Sequence, residues 1–281
     1  MSPPDNALDL TADSPNRRPQ APFRNAKTWT RADFTPQDWT VPVSSAVCDE
    51  LHAIAGQLTQ QTLPLFMLNP DQFDMTATRA MMAQARSMAD EGPGVAVVDR
   101  LPLDDWDEDQ TRAIDWLLAC LLCLYPSAEG GESEYCSSYT LYNALAEEAP
   151  ELLERLFQPF YHDRRGLQGN GQPTVSWVPC FAYDGNRLWA RFSQMKIKVG
   201  YEQAGQDIDN ITRATLEAVQ SIIPQQELSL RYMMERGQLQ IINNREGLHY
   251  RADFKDGETP EQRRHLWRLW HRDEGRPTYD G

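Results

Sequence analysis

The chain has 281 residues, 41% hydrophobic and 24% charged, which is enough for one large core or two small ones. Acidic residues outnumber basic ones by 41 to 27, and the net charge of −14 disfavours binding to nucleic acid. The longest apolar run, Trp116 to Tyr125, is too short to span a bilayer, and residues 1–25 lack the apolar segment of a signal peptide. The five cysteines are odd in number, so we expect a reducing, cytoplasmic compartment.

The first half of the chain predicts a tail followed by helices and short strands. Residues 1–22 are polar and rich in proline, so we expect a mobile tail before a single domain at 23–281. Amphipathic patterns predict three helices, at Ser44–Leu58, Thr76–Asp90 and Asp107–Leu118. Apolar and β-branched runs predict strands at Gly94–Val98 and Leu121–Tyr125.

The second half is richer in strand patterns. Val175–Tyr183 and Arg187–Ser193 flank the turn residues 184–186, which predicts a hairpin. A helix is predicted at Ile211–Ile223, ended by Pro224, and further strands at Leu228–Met233 and Gln238–Asn243. This order predicts an α+β, mainly β fold with helices packed outside a sheet or barrel.

Most residues that could bind a metal have a simpler structural explanation. Cys120 and Cys123 have CxxC spacing, but they lie in the most apolar stretch and are expected to be buried thiols. His52 is expected at the surface or core edge, and His162, in a polar stretch, is expected to order a loop. His271 begins an HxD triplet, but it follows the last predicted strand and is not expected to be a ligand.

His249 is the most suggestive histidine because of what surrounds it in the sequence. It follows the strand Gln238–Asn243 and a turn, and it precedes a basic segment with Arg264 and Arg268 four residues apart. Arg264 alternates with apolar residues and can point inward beside the imidazole. A guanidinium in that position suits a ligand carboxylate.

Several stretches together resemble the TauD/TfdA family of Fe(II)- and 2-oxoglutarate-dependent oxygenases, with similarity over most of the chain after about Val95. The matching segments are Leu121–Pro126 with Gly130-Gly131-Glu132-Ser133, then Pro159–Gly166, Asn243–Arg251 and Arg263–Trp270 with Arg276-Pro277.

The resemblance implies a double-stranded β-helix, of jelly-roll or cupin-like type, with flanking helices. It implies an Fe(II) held by an HxD or HxE pair and a distal histidine, with 2-oxoglutarate and O₂ in the open positions. His249 matches the distal ligand, Arg264 the residue that pairs with the far carboxylate of 2-oxoglutarate, and Ser133 the hydroxyl that supports it. Arg268 matches a second arginine that faces either the cosubstrate or an anionic group of the substrate.

The first pair of iron ligands is absent where the resemblance places it. No histidine occurs between His52 and His162, and the predicted helix ending at Leu118 runs into the strand at Leu121 without turn residues. This sequence therefore lacks a block of the family pattern near 120–121. Either this chain is a shortened relative, or the 281 residues omit a segment of the full protein, which is the explanation we favour.

The resulting expectation is a 2-oxoglutarate-dependent dioxygenase that hydroxylates, desaturates or cyclises a small polar metabolite such as an amino acid. The alternative is a non-catalytic dicarboxylate-binding protein on the same fold. Stoichiometric iron in the purified protein would separate the two. A structural module without a small-molecule site is a further alternative, in which Arg264 would be exposed or paired with an internal carboxylate. Oligomeric state and substrate identity are not predicted.

Overall fold

The computed structural model describes residues 18–59, 64–118, 121–168, 170–223, 225 and 227–269. The helices are α1 (Ser45–Leu58), α2 (Thr76–Asp90), α3 (Glu108–Leu118), α4 (Ser138–Glu148), α5 (Pro150–Leu156), α6 (Gln194–Gln203) and α7 (Asn210–Ile222). The strands are β1 (Thr40–Val41), β2 (Val95–Val98), β3 (Leu121–Tyr125), β4 (Glu129–Gly130), β5 (Ser133–Ser137), β6 (Pro159–Asp163), β7 (Val175–Pro179), β8 (Phe181–Tyr183), β9 (Leu188–Ala190), β10 (Ser229–Tyr232), β11 (Leu239–Ile242), β12 (Gly247–Arg251), β13 (Phe254–Lys255) and β14 (His265–Arg268).

The larger sheet carries the first helical layer. Its strand order is β1-β2-β11-β3-β14, with β1 parallel to β2 and the other neighbours antiparallel. Ala96, Val98 and Leu122 of this sheet pack with Leu51 of α1 and Ile114 of α3 in one core cluster. The apolar stripes of the amphipathic helices are thereby buried on one face of the sheet.

A smaller antiparallel sheet, β10-β5-β12, lies against the other face of the larger one. Tyr135 and Leu230 of the small sheet pack with Val95, Val97 and Trp29 in a separate cluster. Successive residues of a strand point to opposite faces, so β2 contacts the helices with one set of side chains and the small sheet with the other. The two sheets therefore pack face to face.

A second helical layer covers the outer face of the small sheet. Cys136 and Leu248 of that sheet pack with Leu141 of α4, Leu153 of α5 and Leu216 of α7. The small sheet is thus held between this layer and the larger sheet. Within the described residues, no helix has the length and apolar character needed to cross a membrane.

Most predicted elements are confirmed. The predicted bounds of α1, α2, α3 and α7, and of the strands β2, β3, β10 and β11, agree with the structure to within one residue at each end. Ser44 caps α1 by accepting a hydrogen bond from the Val47 amide at 3.3 Å. Residues 1–17 of the predicted tail and Pro224 lie outside the described residues, while Pro19 accepts a hydrogen bond from the Tyr142 hydroxyl.

Three expectations are wrong. The run predicted as one strand at Val175–Tyr183 is two strands: β7 pairs with β6, and β8 pairs with β9 across the turn. His162 does not order a loop. It lies inside β6, where its side chain and that of Phe160, two residues earlier, both point into the core. The chain is also not mainly β, because most strands are short and the helices hold more of the described residues.

Candidate functional site

The register of the small sheet places three polar side chains on one face, two of which are candidate site residues from the sequence. In β12, His249 lies opposite Tyr135 of β5, and Arg251 lies opposite Ser133. Residues opposite each other on antiparallel strands share a face, as do residues two apart on one strand. His249, Arg251 and Ser133 therefore share the face of the small sheet that is turned toward the larger sheet.

Arg264 enters the same region from the segment that leads into β14. Its backbone N–H donates to Asp256 Oδ1 at 2.8 Å, and its guanidinium carbon lies 5.8 Å from the centre of the Phe254 ring. Gly131 has φ +85°, and a Cβ there would lie 2.5 Å from the Ser127 hydroxyl oxygen and 3.5 Å from Arg264 Nε. Glycine at 131 is thus required by the positive φ and by the nearby Ser127 hydroxyl, and the turn before Ser133 lies next to the Arg264 side chain.

The electrostatics show that three guanidinium groups share this region. Burial lowers the pKa of Arg264, and the charges of Arg251 and Arg268 lower it further, against the opposing effects of Cys123 and Asp256. Among the described residues, no carboxylate forms an ion pair with Arg251, Arg264 or Arg268. In a chain of net charge −14, this concentration of positive charge makes the region a candidate anion-binding site.

His249 is the imidazole at the edge of this positive region. Its side chain is exposed, yet protein atoms surround it closely enough for desolvation to lower its pKa to about 4. The charges of Arg268 and Lys196 lower that pKa further. The imidazole is therefore packed against protein atoms on one side and open to solvent on the other. The imidazole is consequently neutral at physiological pH, the form that binds a metal.

The structure therefore brings together the four residues singled out in the sequence, His249, Ser133, Arg264 and Arg268. Sequence reasoning did not single out Arg251 and Lys196, whose charges act on Arg264 and His249 respectively. Arg251 could have been found, because it lies two residues after His249 and must share its face if the segment is a strand. Lys196 is distant in sequence, on α6, and no local pattern connects it with the site.

The described residues do not fit a complete iron site. No group of three or more His, Cys, Asp or Glu side chains in that part of the chain could hold a metal ion. His162 is buried in β6, and the HxD triplet that begins at His271 lies outside the described residues. Cys120 also lies outside them, while Cys123 is a buried free thiol. His249 is thus a single candidate ligand, whereas the neighbouring arginines suit a dicarboxylate such as 2-oxoglutarate.

The chain matches the profile of the family described as "Taurine catabolism dioxygenase TauD, TfdA family" over residues 62–270. It belongs to that family, and the resemblance seen in the sequence is confirmed. The family's cofactors are Fe(II) and 2-oxoglutarate.

A curated relative is FR-33289 synthase of Streptomyces rubellomurinus (strain ATCC 31215), 31% identical over 161 residues. The match covers 54% of this chain and 46% of that protein, so it spans about half the length of the relative.

Solved structures of iron oxygenases share the fold. One is an asparagine oxygenase in complex with Fe(II), 2S,3S-3-hydroxyasparagine and succinate, with TM-score 0.58 and 14% identity over 82% of this chain and 93% of that one. Another is the non-heme iron oxygenase OrfP in complex with Fe and alpha-ketoglutaric acid, with TM-score 0.53 and 10% identity over 81% of this chain and 92% of that one. At such low identity these likenesses show the fold alone.

Proposed function

We propose that this protein is an Fe(II)- and 2-oxoglutarate-dependent oxygenase acting on a small polar metabolite, such as an amino acid, in the cytoplasm. In the net reaction, 2-oxoglutarate and O₂ give succinate and CO₂, and the second oxygen atom enters a substrate C–H bond as a hydroxyl group. Desaturation or cyclisation of the substrate would be a different outcome of the same oxidation. We further propose that the two facing sheets form a double-stranded β-helix in one domain at residues 23–281.

The observation that carries this proposal is the arginine cluster beside His249 and Ser133. Arg264 is half-buried and has no carboxylate partner among the described residues, so its desolvated charge calls for an anionic ligand. A guanidinium can hold a carboxylate through two parallel hydrogen bonds. In this proposal Arg264 binds the far carboxylate of 2-oxoglutarate, Ser133 supports it, and Arg268 faces either the cosubstrate or the substrate.

The proposal also requires metal ligands besides His249. Helix α3 ends at Leu118 and β3 begins at Leu121, and the two residues between them lie outside the described ones. We propose that the full protein contains a further segment near 120–121 that carries an HxD or HxE pair. Iron held by that pair and His249 would supply the activation of O₂ that the reaction needs.

The cosubstrate role of Arg264 is tested by the affinity for 2-oxoglutarate, measured by calorimetry. Arg264→Ala is expected to weaken binding on the order of a hundredfold, since removing one side of a buried charge pair costs about 3–5 kcal/mol and this group is half-buried. Arg263→Ala is the matched control, because Arg263 is exposed and its side chain donates to the Glu258 carbonyl oxygen. Equal losses in both variants would contradict the assignment.

A further inference from the structure

The aromatic ring of Phe254, on β13, contacts two guanidinium groups at once. Its centre lies 4.3 Å from the guanidinium carbon of Arg251 and 5.8 Å from that of Arg264. Both distances fall within the roughly 6 Å over which the negative face of an aromatic ring attracts a cation. The two positive groups repel each other, since the charge of Arg251 adds to burial in lowering the pKa of Arg264. One ring thus holds two like charges near each other.

The backbone of β13 is fixed against the turn that precedes Ser133. Phe254 lies opposite Gly130 of β4, and the Gly131 amide donates to the Asp253 carbonyl oxygen at 3.0 Å. Gly130 has φ +66°, and a Cβ there would overlap the same carbonyl oxygen, so glycine is required for the two strands to approach this closely. Phe254 is thereby fixed beside the segment that leads to Ser133.

Arg251 carries a charge that the described residues leave without an opposite one. Its side chain is exposed, and Nη1 donates to the Ala252 carbonyl oxygen at 3.2 Å. Within the described part of the chain it forms no ion pair with a carboxylate. Arg251 lies directly opposite Ser133, on the face of the small sheet that is turned toward the larger sheet. Its guanidinium is therefore available to an anion beside Ser133.

A single carboxylate can use both guanidinium groups. An ionised carboxylate has two oxygens with about four lone-pair sites, and one guanidinium in a bidentate pair occupies two of them. The remaining sites can accept hydrogen bonds from a second guanidinium and from a hydroxyl. Side chains that are already held in place lose less conformational freedom when a ligand binds, which increases the affinity.

We propose that Arg251 binds the same ligand carboxylate as Arg264, and that Phe254 positions both guanidinium groups for it. This inference rests on the proposed function, in which that carboxylate is the far one of 2-oxoglutarate. It adds to the site one ligand-binding residue and one positioning residue that the family resemblance does not assign. Phe254 acts through the two arginines and not by touching the ligand.

The test measures the affinity for 2-oxoglutarate by calorimetry on the full protein. Arg251→Met is expected to weaken binding about tenfold, the usual scale for the loss of one hydrogen bond to a charged group. Phe254→Leu is expected to weaken it about fivefold, because both guanidinium groups lose their attraction to the ring.

Two further variants separate positioning from a general loss of stability. Phe254→Tyr keeps the aromatic face and is expected to retain the affinity to within about twofold. In an Arg251→Met background, Phe254→Leu is expected to weaken binding by a smaller factor than in the wild type, because one of the two groups it positions is gone. A purely structural role would give the same factor in both backgrounds, and that result would overturn the inference.

The chain offers a matched control for each change. Tyr250 is exposed to nearly the same extent as Phe254, 36% against 37%, but it points to the opposite face of β12 from Arg251. Lys255 follows Phe254 on β13, is exposed, and pairs with Glu129 at 3.1 Å. Tyr250→Leu and Lys255→Met are each expected to leave the affinity for 2-oxoglutarate within about twofold of the wild type.

The outcomes separate this inference from the proposed function. If Phe254→Leu weakens binding no more than Tyr250→Leu, or Arg251→Met no more than Lys255→Met, the inference is wrong, while a loss in Arg264→Ala still supports the proposed function. If 2-oxoglutarate does not bind the wild type, the proposed function is contradicted.

The same variants are in that case titrated with succinate, a dicarboxylate without the 2-oxo group. Selective losses of succinate affinity in Arg251→Met and Phe254→Leu support the shared carboxylate site. Absence of succinate binding contradicts it.

Discussion

Among single residues, Asp115 has an environment that predicts a pH-dependent stability. It lies on α3 at 4% exposure, and its Oδ1 has no hydrogen-bond partner among the described residues. Burial raises the pKa of Asp115 to about 7. Between the ordinary value near 4 and this raised value, the folded protein binds more protons than the unfolded chain. This residue therefore makes folding less favourable as the pH rises through that window.

Asp115→Asn is expected to remove this dependence. The free energy of unfolding of the variant, compared with that of the wild type, should increase by on the order of 2 kcal/mol as the pH rises from 5 to 8. Each pKa unit corresponds to about 1.4 kcal/mol. Urea denaturation at several pH values measures the difference. Asp109→Asn, an exposed change on the same helix, should follow the wild type. If the free energy of unfolding changed with pH in the same way in the wild type and in Asp115→Asn, the role given to this carboxyl would be contradicted.

Between elements, Glu50 connects the first two helices. Its carboxylate on α1 accepts hydrogen bonds from the Ala77 amide at 2.7 Å and from the Thr78 amide and hydroxyl at 2.8 Å. Met75, the residue before α2, provides no side-chain cap. Glu50 therefore satisfies the free amides at the start of α2 from outside that helix.

Glu50→Gln is expected to lower the free energy of unfolding by about 1–2 kcal/mol at pH 7, because an amide accepts these bonds less well than a carboxylate. Burial raises the pKa of Glu50, but the bonds from Ala77 and Thr78 outweigh it, and the net pKa is lowered. The stabilisation is thus present above the ordinary pKa and is lost as the pH falls through the lowered one. Thermal denaturation checks this, with exposed Asp49→Asn as the control. Equal melting of the two variants would contradict the capping role.

Elements with local signals were predictable, and pairings between distant segments were not. Helix α2 shows its apolar spacing and its end before Gly92 in the sequence itself. By contrast, β7 pairs with β6 across a loop, and the charged residues Asp163 and Arg164 made the end of β6 look like loop. His162 was misjudged for that reason, because burial of a strand depends on partners that the local sequence does not reveal.

The same contrast between local sequence signals and contacts of distant segments holds for the candidate site. His249, Ser133, Arg264 and Arg268 came from a resemblance that preserves order and spacing, and the fold brings them together. No local sequence pattern connects Lys196 of α6 with β12, although its charge lowers the pKa of His249.

At the scale of the whole molecule, the family and the ligand set disagree. The chain belongs to a family that uses Fe(II), yet the described residues offer His249 without the pair that should accompany it. The resemblance places the absent pair where α3 and β3 are separated by two residues. We propose that a segment of the full protein near 120–121 supplies it.

Under this account, His249→Ala should abolish both iron binding and succinate formation, because the imidazole is one of three protein ligands. His271→Ala should leave both intact, although His271 belongs to an HxD triplet. Iron content by atomic emission and succinate by chromatography measure the two effects. Loss of iron in His271→Ala with retention in His249→Ala would show that the ligand assignment is reversed.

Native mass spectrometry of the purified protein, with peptide mapping across Cys120 and Leu121, tests the central claim most directly. It reports the chain mass and the bound iron in one spectrum. We expect a mass well above 32.2 kDa, extra residues between Cys120 and Leu121 that include HxD or HxE, and one iron per chain. An iron-loaded chain of 281 residues that forms succinate would contradict the account, because its iron would be held by ligands other than those assigned here.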